Sequence, residues 1–225
     1  MSAALIVFAK APVAGHAKTR LIPALGAAAA AALAEQLLEH AMHAAAAARF
    51  DHVELCVTPD ADHPAFRRLA ASNDRLTLRT QGDGDLGARM DRALTRALGT
   101  HDQAILIGTD APALDGRRLA AAREALVGHD AVFVPALDGG YALVGLARPA
   151  PTLFADVDWS SAQVMTQTRL RAGAAGLRWR ELEPVADVDE PEDLVHLPAA
   201  WPARRAWSAR REAASGPRDS VSPID

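Results

Sequence analysis

Short apolar runs alternate along this chain with longer stretches of helical character. Residues 104–107, AILI, form an apolar run with no alternation, the pattern of a strand covered on both faces. Gly108 ends it, Thr109 and Asp110 follow, Pro112 stops its continuation, and Asp115 is placed to cap the next helix. Residues 5–9, 53–57 and 131–134 read as further buried strands, 76–79 as a weaker one, and 141–146 as an extended segment. Residues 24–50 are rich in alanine and carry Leu33, Leu37 and Leu38, which predicts a helix with a packing face. Shorter helices are expected over 65–70, 86–98 and 117–126. Strands alternating with helices predict a three-layer α/β sandwich with a mainly parallel central sheet.

Beyond residue 150 the pattern loosens. Ser160 or Ser161 would cap a helix running to Arg171, 177–182 reads as a last strand, and 188–194 starts a helix with Asp189 at its cap and Pro191 in its first turn. From Pro198 onward prolines sit among arginines, serines and alanines. The chain therefore divides into a domain over 1–197 and a Pro/Arg-rich tail over 198–225, loosely held and mostly disordered after Arg211.

Composition narrows the function. The chain has 225 residues, half of them hydrophobic, enough for one self-sufficient domain. A net charge of -4 argues against general nucleic-acid binding, which needs a basic face. The single cysteine, Cys56, lies in an apolar run and reads as a buried, inert thiol. No apolar stretch reaches the ~20 residues a membrane span needs. The start, MSAALIVFAK, has no basic region ahead of its apolar part, so a cytoplasmic protein is expected. A homodimer stays open as the oligomeric form.

Five segments carry candidate chemistry. In open α/β sheets, ligands bind outside the carboxyl ends of strands, which is where Asp110 falls; it also suits a simple turn cap. After the first strand, KAPVAGHAKTR places Lys10, Gly15, Lys18 and Arg20 where cations and loop amides could hold phosphate oxygens. That loop is not a Walker A motif, since Pro12 and Ala17 stand where glycines are needed, and no G-x-G-x-x-G follows the strand. QGDGDLG offers Gln81 and Gly84 for close backbone approach, with Asp83 and Asp85 fit to orient hydroxyls or cap a helix. Asp138-Gly139-Gly140-Tyr141 reads as a tight turn at a strand's carboxyl end, placed for substrate contact. The late run DVDEPEDL packs five carboxylates into seven residues, which repel unless cations or solvent meet them. Glu192 and Asp193 of that run are expected to face water. Together these segments describe one cleft. Lys18 and Arg20 neutralise phosphates, while Asp110 and a second acid from the late run hold Mg²⁺ or Mn²⁺ against a diphosphate. His40 and His43 share a helix face without a third ligand, and no G-x-S-x-G elbow is present.

The blocks FAKAPVAGHAKTRL (8–21), GDLGARM (84–90), GTDAPAL (108–114), PALDGGYALVGL (135–146), VDWSSAQV (157–164) and DVDEPEDL (187–194) occur in this order. In them the chain resembles the bacterial DUF2064 proteins, also called the selenodomain-associated transferase 1 or arsenosugar-biosynthesis glycosyltransferase family. The resemblance implies a GT-A, or nucleotide-diphospho-sugar transferase, fold and kinship with 2-phospholactate guanylyltransferases and molybdenum-cofactor and sugar nucleotidyltransferases. It implies that Lys18 and Arg20 bind nucleotide phosphates, that Asp110 is the metal-binding acid, and that Asp189 is the late acid. Glu190 departs from the threonine usual in that block.

Three functions follow as expectations. The first is a metal-dependent glycosyltransferase, with Asp110 and Lys18 at the catalytic centre, Asp110 and Asp189 on the metal, and Asp138 to Tyr141 facing sugar or acceptor. Its partners would be a nucleotide sugar and a small-molecule acceptor. The second is a nucleotidyltransferase releasing pyrophosphate from a nucleoside triphosphate. The third is a non-catalytic nucleotide-binding protein.

Overall fold

The computed structural model describes residues 1–215. Seven strands form one sheet in the order β3-β2-β1-β4-β6-β5-β7: β1 (Ala3–Lys10), β2 (His52–Thr58), β3 (Leu76–Thr80), β4 (Gln103–Ile107), β5 (Ala131–Pro135), β6 (Tyr141–Leu146) and β7 (Trp179–Glu181). β1 to β4 pair in parallel, β6 runs antiparallel to both β4 and β5, and β7 returns parallel to β5. The three-layer α/β architecture with a mostly parallel sheet is therefore as expected.

Strand alternation builds the two faces. In β1, Leu5 and Val7 enter one core and Ala4, Ile6 and Phe8 the other. The first core is covered by α2 (Ala27–Ala47), α3 (Pro64–Ala71) and α5 (Gly116–Ala125), through Leu38, Phe66 and Leu119. The second is covered by α4 (Leu86–Leu98) and α6 (Val164–Ala174), through Met90, Leu94 and Met165. Burying each such side chain contributes about 1.5–3 kcal/mol, so both sheet faces are strongly held. Glu54, on β2 beside Cys56, is buried and paired with Arg96 of α4 and with Arg79. Burial, and then the nearby Glu54, push the Cys56 thiol up to about 12, which keeps it protonated and unreactive.

A third core lies behind the outer side of α2. There Leu33 and Leu37 meet Leu21, Val188, Leu194 and Leu197. This cluster fixes the late acidic run against the loop after β1.

Local structure corrects several boundaries. Gly26, at φ 85°, separates a short α1 (Ile22–Leu25) from α2, where one helix was expected. α6 starts at Val164, past both serines; Ser161 instead accepts from the Gln163 N–H at 3.2 Å. The late segment is a 3-10 helix, Pro191–His196, with Glu190 at its N-cap. Asp193, expected to face water, accepts from the N–H groups of Asp189 and Glu190. The loosely held tail is corrected as far as Ser215. Residues 202–215 form α7 (Pro202–Ser215), anchored on the third core by Ala203, with Trp201 and Trp207 packed alongside. The Trp207 ring is flanked by the Arg204 and Arg211 guanidiniums, each 4.9 Å from its centre. The expectation of disorder further on concerns 216–225, outside the described residues. No helix among the described residues is long and apolar enough to cross a membrane.

Candidate active site

The parallel strands end at one edge of the sheet, and a cleft of about 710 Å³ opens there. The loop after β1, the tip of β4, the β5–β6 hairpin, the N-terminus of α4 and the late acidic run all reach it. The late run arrives by hydrogen bonding across the strand tips. Val185 donates to the Pro135 carbonyl at 3.0 Å, and Val188 donates to the Asp110 carbonyl at 2.9 Å. Asp110 and Asp189, 79 positions apart in sequence, are thereby brought side by side.

Lys18 joins them. Its Nζ donates to Asp110 Oδ1 at 2.6 Å, Asp189 Oδ1 at 2.9 Å and the Val188 carbonyl at 2.7 Å. The Lys18 side chain is 7% exposed, against 47% and 41% for the two acids. Burial alone would lower its pKa, but Asp110 and Asp189 outweigh it and hold the ammonium above its ordinary 10.5. Lys18 also sits in the left-handed region at φ 48°. For a non-glycine residue that conformation costs on the order of 1–3 kcal/mol and persists where surrounding contacts fix it. Asp187 lies half-buried beside this group. Burial first, then Asp138, Asp189 and Asp193, push its carboxyl up to about 6.

The two acids suit a hard divalent cation. They converge on one point, face the cleft, and supply the oxygen donors that Mg²⁺ and Mn²⁺ prefer. Among the described residues no group of three His, Cys, Asp or Glu side chains converges on a metal position. Phosphate and water oxygens would therefore have to complete the shell.

The other expected site residues divide. Lys10, Arg20, Gln81, Asp138, Gly140 and Tyr141 line the cleft with Lys18, Asp110 and Asp189, whereas Gly15, Gly84 and Gly139 do not. Arg20 is 63% exposed and pairs with Glu190 at 3.3 Å, so the unusual acid of the late block has its own cation. Gln81 is buried, its Nε2 donating to the Cys56 carbonyl at 3.1 Å, so it braces the strands. Gly139, at φ 95°, lies against the Ala162 backbone, where a Cβ would come within 2.3 Å of the Ala162 carbonyl oxygen. The Tyr141 phenol is raised by burial and stays protonated.

Residues 157–164 bring residues that were not expected in the site. Trp159, Ser160, Ser161 and Ala162 line the cleft, and Trp159 meets Tyr141 edge-on at 6.4 Å. Phe8, Leu86, Met90 and Trp159 add apolar side chains to the cleft lining. Gly87 belongs to this arrangement: a Cβ there would meet the Phe154 carbonyl oxygen at 2.3 Å and Trp159 Nε1 at 2.8 Å. The VDWSSAQV block was the available signal for Trp159, and His16 of the first loop was likewise missed.

Solved structures agree with this architecture. A Desulfovibrio desulfuricans G20 protein, described as a presumed nucleotide-diphospho-sugar transferase, superposes with a TM-score of 0.80 at 28% identity over 96% of each chain. Rv0371c from Mycobacterium tuberculosis H37Rv, crystallised in complex with manganese, aligns at TM-score 0.56 and 17% identity over 89% of this chain and 100% of that one. The 4-diphosphocytidyl-2C-methyl-D-erythritol synthase of Anaerococcus prevotii DSM 20548 aligns at TM-score 0.61 and 8% identity over 93% and 96%. The fold is that of the nucleotide-diphospho-sugar transferases and cytidylyltransferases. No curated protein matches the chain by sequence. Residues 40–161 match the family described as "Uncharacterized protein conserved in bacteria (DUF2064)", and the chain belongs to that family.

Proposed function

We propose that the protein is a metal-dependent glycosyltransferase-like enzyme using a nucleotide-diphospho-sugar donor. The observation that carries this reading is the meeting of Asp110 and Asp189 in a cleft whose loop brings Lys10, Lys18 and Arg20. Asp110 and Asp189 would hold Mg²⁺ or Mn²⁺, which when bound stabilises the charge on the leaving diphosphate. Arg20 and Lys10, at the accessible side, would take phosphate oxygens. Asp138, Gly140 and Tyr141 would face the sugar or acceptor. The transferase described for the Desulfovibrio protein and the manganese bound by Rv0371c both favour this reading.

A second reading is nucleotidyl transfer, in which a substrate phosphate attacks the α-phosphate of a nucleoside triphosphate and pyrophosphate leaves. It is favoured by the loop after β1, which brings two lysines and Arg20, with His16, to the cleft. A panel of nucleotide sugars and nucleoside triphosphates, scored by thermal shift with and without Mn²⁺ and then by product, separates the two. Release of nucleoside diphosphate from a nucleotide sugar supports the first reading. Release of pyrophosphate from a triphosphate replaces it with the second, and no metal-dependent response to any of these ligands contradicts both.

A further inference from the structure

Lys18 holds the place between the two acids that a divalent ion would take. Its ammonium carries three N–H donors, and all three are matched by Asp110 Oδ1, Asp189 Oδ1 and the Val188 carbonyl at 2.6, 2.9 and 2.7 Å. A Mg²⁺ ion approaches carboxylate oxygens at roughly 2.0–2.1 Å. It could not enter between the same two Oδ1 atoms while the ammonium stays there, because the two cations would overlap and repel.

We propose that Lys18 is an internal counter-cation that closes the acid pair to a bare divalent ion, and leaves it when a phosphate-bearing ligand offers the ammonium a new partner. This rests on reading Asp110 and Asp189 as the metal ligands. The charge around the lysine supports it. Asp110 comes from the tip of β4 and Asp189 from the late run, with Asp187 and Asp138 close by. Among the described residues Lys18 is the one cation paired with Asp110 or Asp189, since Arg20 turns to Glu190 instead. The lysine therefore compensates acids that would otherwise attract any divalent ion present. Lys18 lines the cleft, so a phosphate bound there lies within its surroundings. The consequence is coupling: phosphate raises the affinity for metal, and metal raises the affinity for phosphate by the same factor.

The test measures Mn²⁺ binding to the full chain by the EPR signal of free Mn²⁺, alone and with inorganic pyrophosphate. Lys18→Met removes the ammonium, Lys18→Arg keeps a cation, and circular dichroism confirms that each variant is folded. Lys18→Met is expected to bind Mn²⁺ alone at least tenfold more tightly than the wild type, and Lys18→Arg to stay near wild type. Pyrophosphate is expected to tighten Mn²⁺ binding in the wild type and to do so far less in Lys18→Met. The proposal is overturned if Lys18→Met binds Mn²⁺ no more tightly than the wild type while Asp110→Asn abolishes binding in both; the metal site then stands without the lysine's role. If Asp110→Asn leaves Mn²⁺ binding unchanged in every background, the metal-ligand reading itself fails and the proposal with it.

Discussion

The loop after β1 and the loop after β3 both leave the carboxyl end of a parallel strand, and both carry glycines and charge. Their polar groups are used differently. The first loop brings Lys10, His16, Lys18 and Arg20 to the cleft. In the second, Gln81 is buried between strands, Arg92 donates to the Gln81 and Asp83 carbonyls, and Asp85 caps α4 by accepting from the Ala88 N–H at 2.8 Å. The difference lies in which side chains already have internal partners. A loop whose polar atoms are bonded within the fold is scaffold, however much its composition resembles a binding loop. Lys18 stands between the two cases, since its partners are themselves the acids of the cleft.

Breaking this contrast should have graded effects. The largest is expected at Asp110→Asn. A ligand at about 100 times its Kd stabilises a protein by roughly 2.7 kcal/mol. The variant should lose most of the stabilisation by Mn²⁺ and nucleotide that the wild type gains in a thermal-shift assay, while remaining folded. Gly87→Ala comes next, because its Cβ would press on the Phe154 carbonyl and the Trp159 indole. Such overpacking costs about 2 kcal/mol, read as a lower melting temperature without ligand. Asp85→Ala should lose about 1 kcal/mol of stability with the N-cap, leaving the ligand-induced shift unchanged; a lost shift would give the second loop a part in ligand binding. The smallest effect is expected at Glu190→Thr. Its pair with Arg20 is exposed on both sides, and such pairs contribute less than about 1 kcal/mol, so chemical denaturation should barely distinguish it from wild type.

Much of the fold was legible in local pattern. The buried strands, the alanine-rich helix and the position of Asp110 at a strand tip all follow from short-range apolar runs and breakers. The strand order was not, nor was the reversal of β6, because these depend on pairing between distant segments. The helix after Pro198 was hidden by prolines that stand ahead of it: Pro202 sits in its first turn, where a missing N–H does no harm. Its anchoring through Trp207 depends on the third core, which the tail's own composition does not reveal. In the cleft, residue types identified the acids and cations, but not that Lys18 sits between Asp110 and Asp189. Trp159 was missed because its role comes from packing on Gly87 and Tyr141 rather than from charge.

In the proposed function Asp110 and Asp189 act together on one cation beside a bound diphosphate. Crystals grown with Mn²⁺ and a nucleoside diphosphate, measured at the manganese absorption edge, test it directly. The expected result is an anomalous peak shared by the two carboxylates, with the Lys18 ammonium moved onto a phosphate oxygen. A manganese peak elsewhere on the molecule, with Lys18 still bridging both acids beside the bound nucleotide, would contradict it.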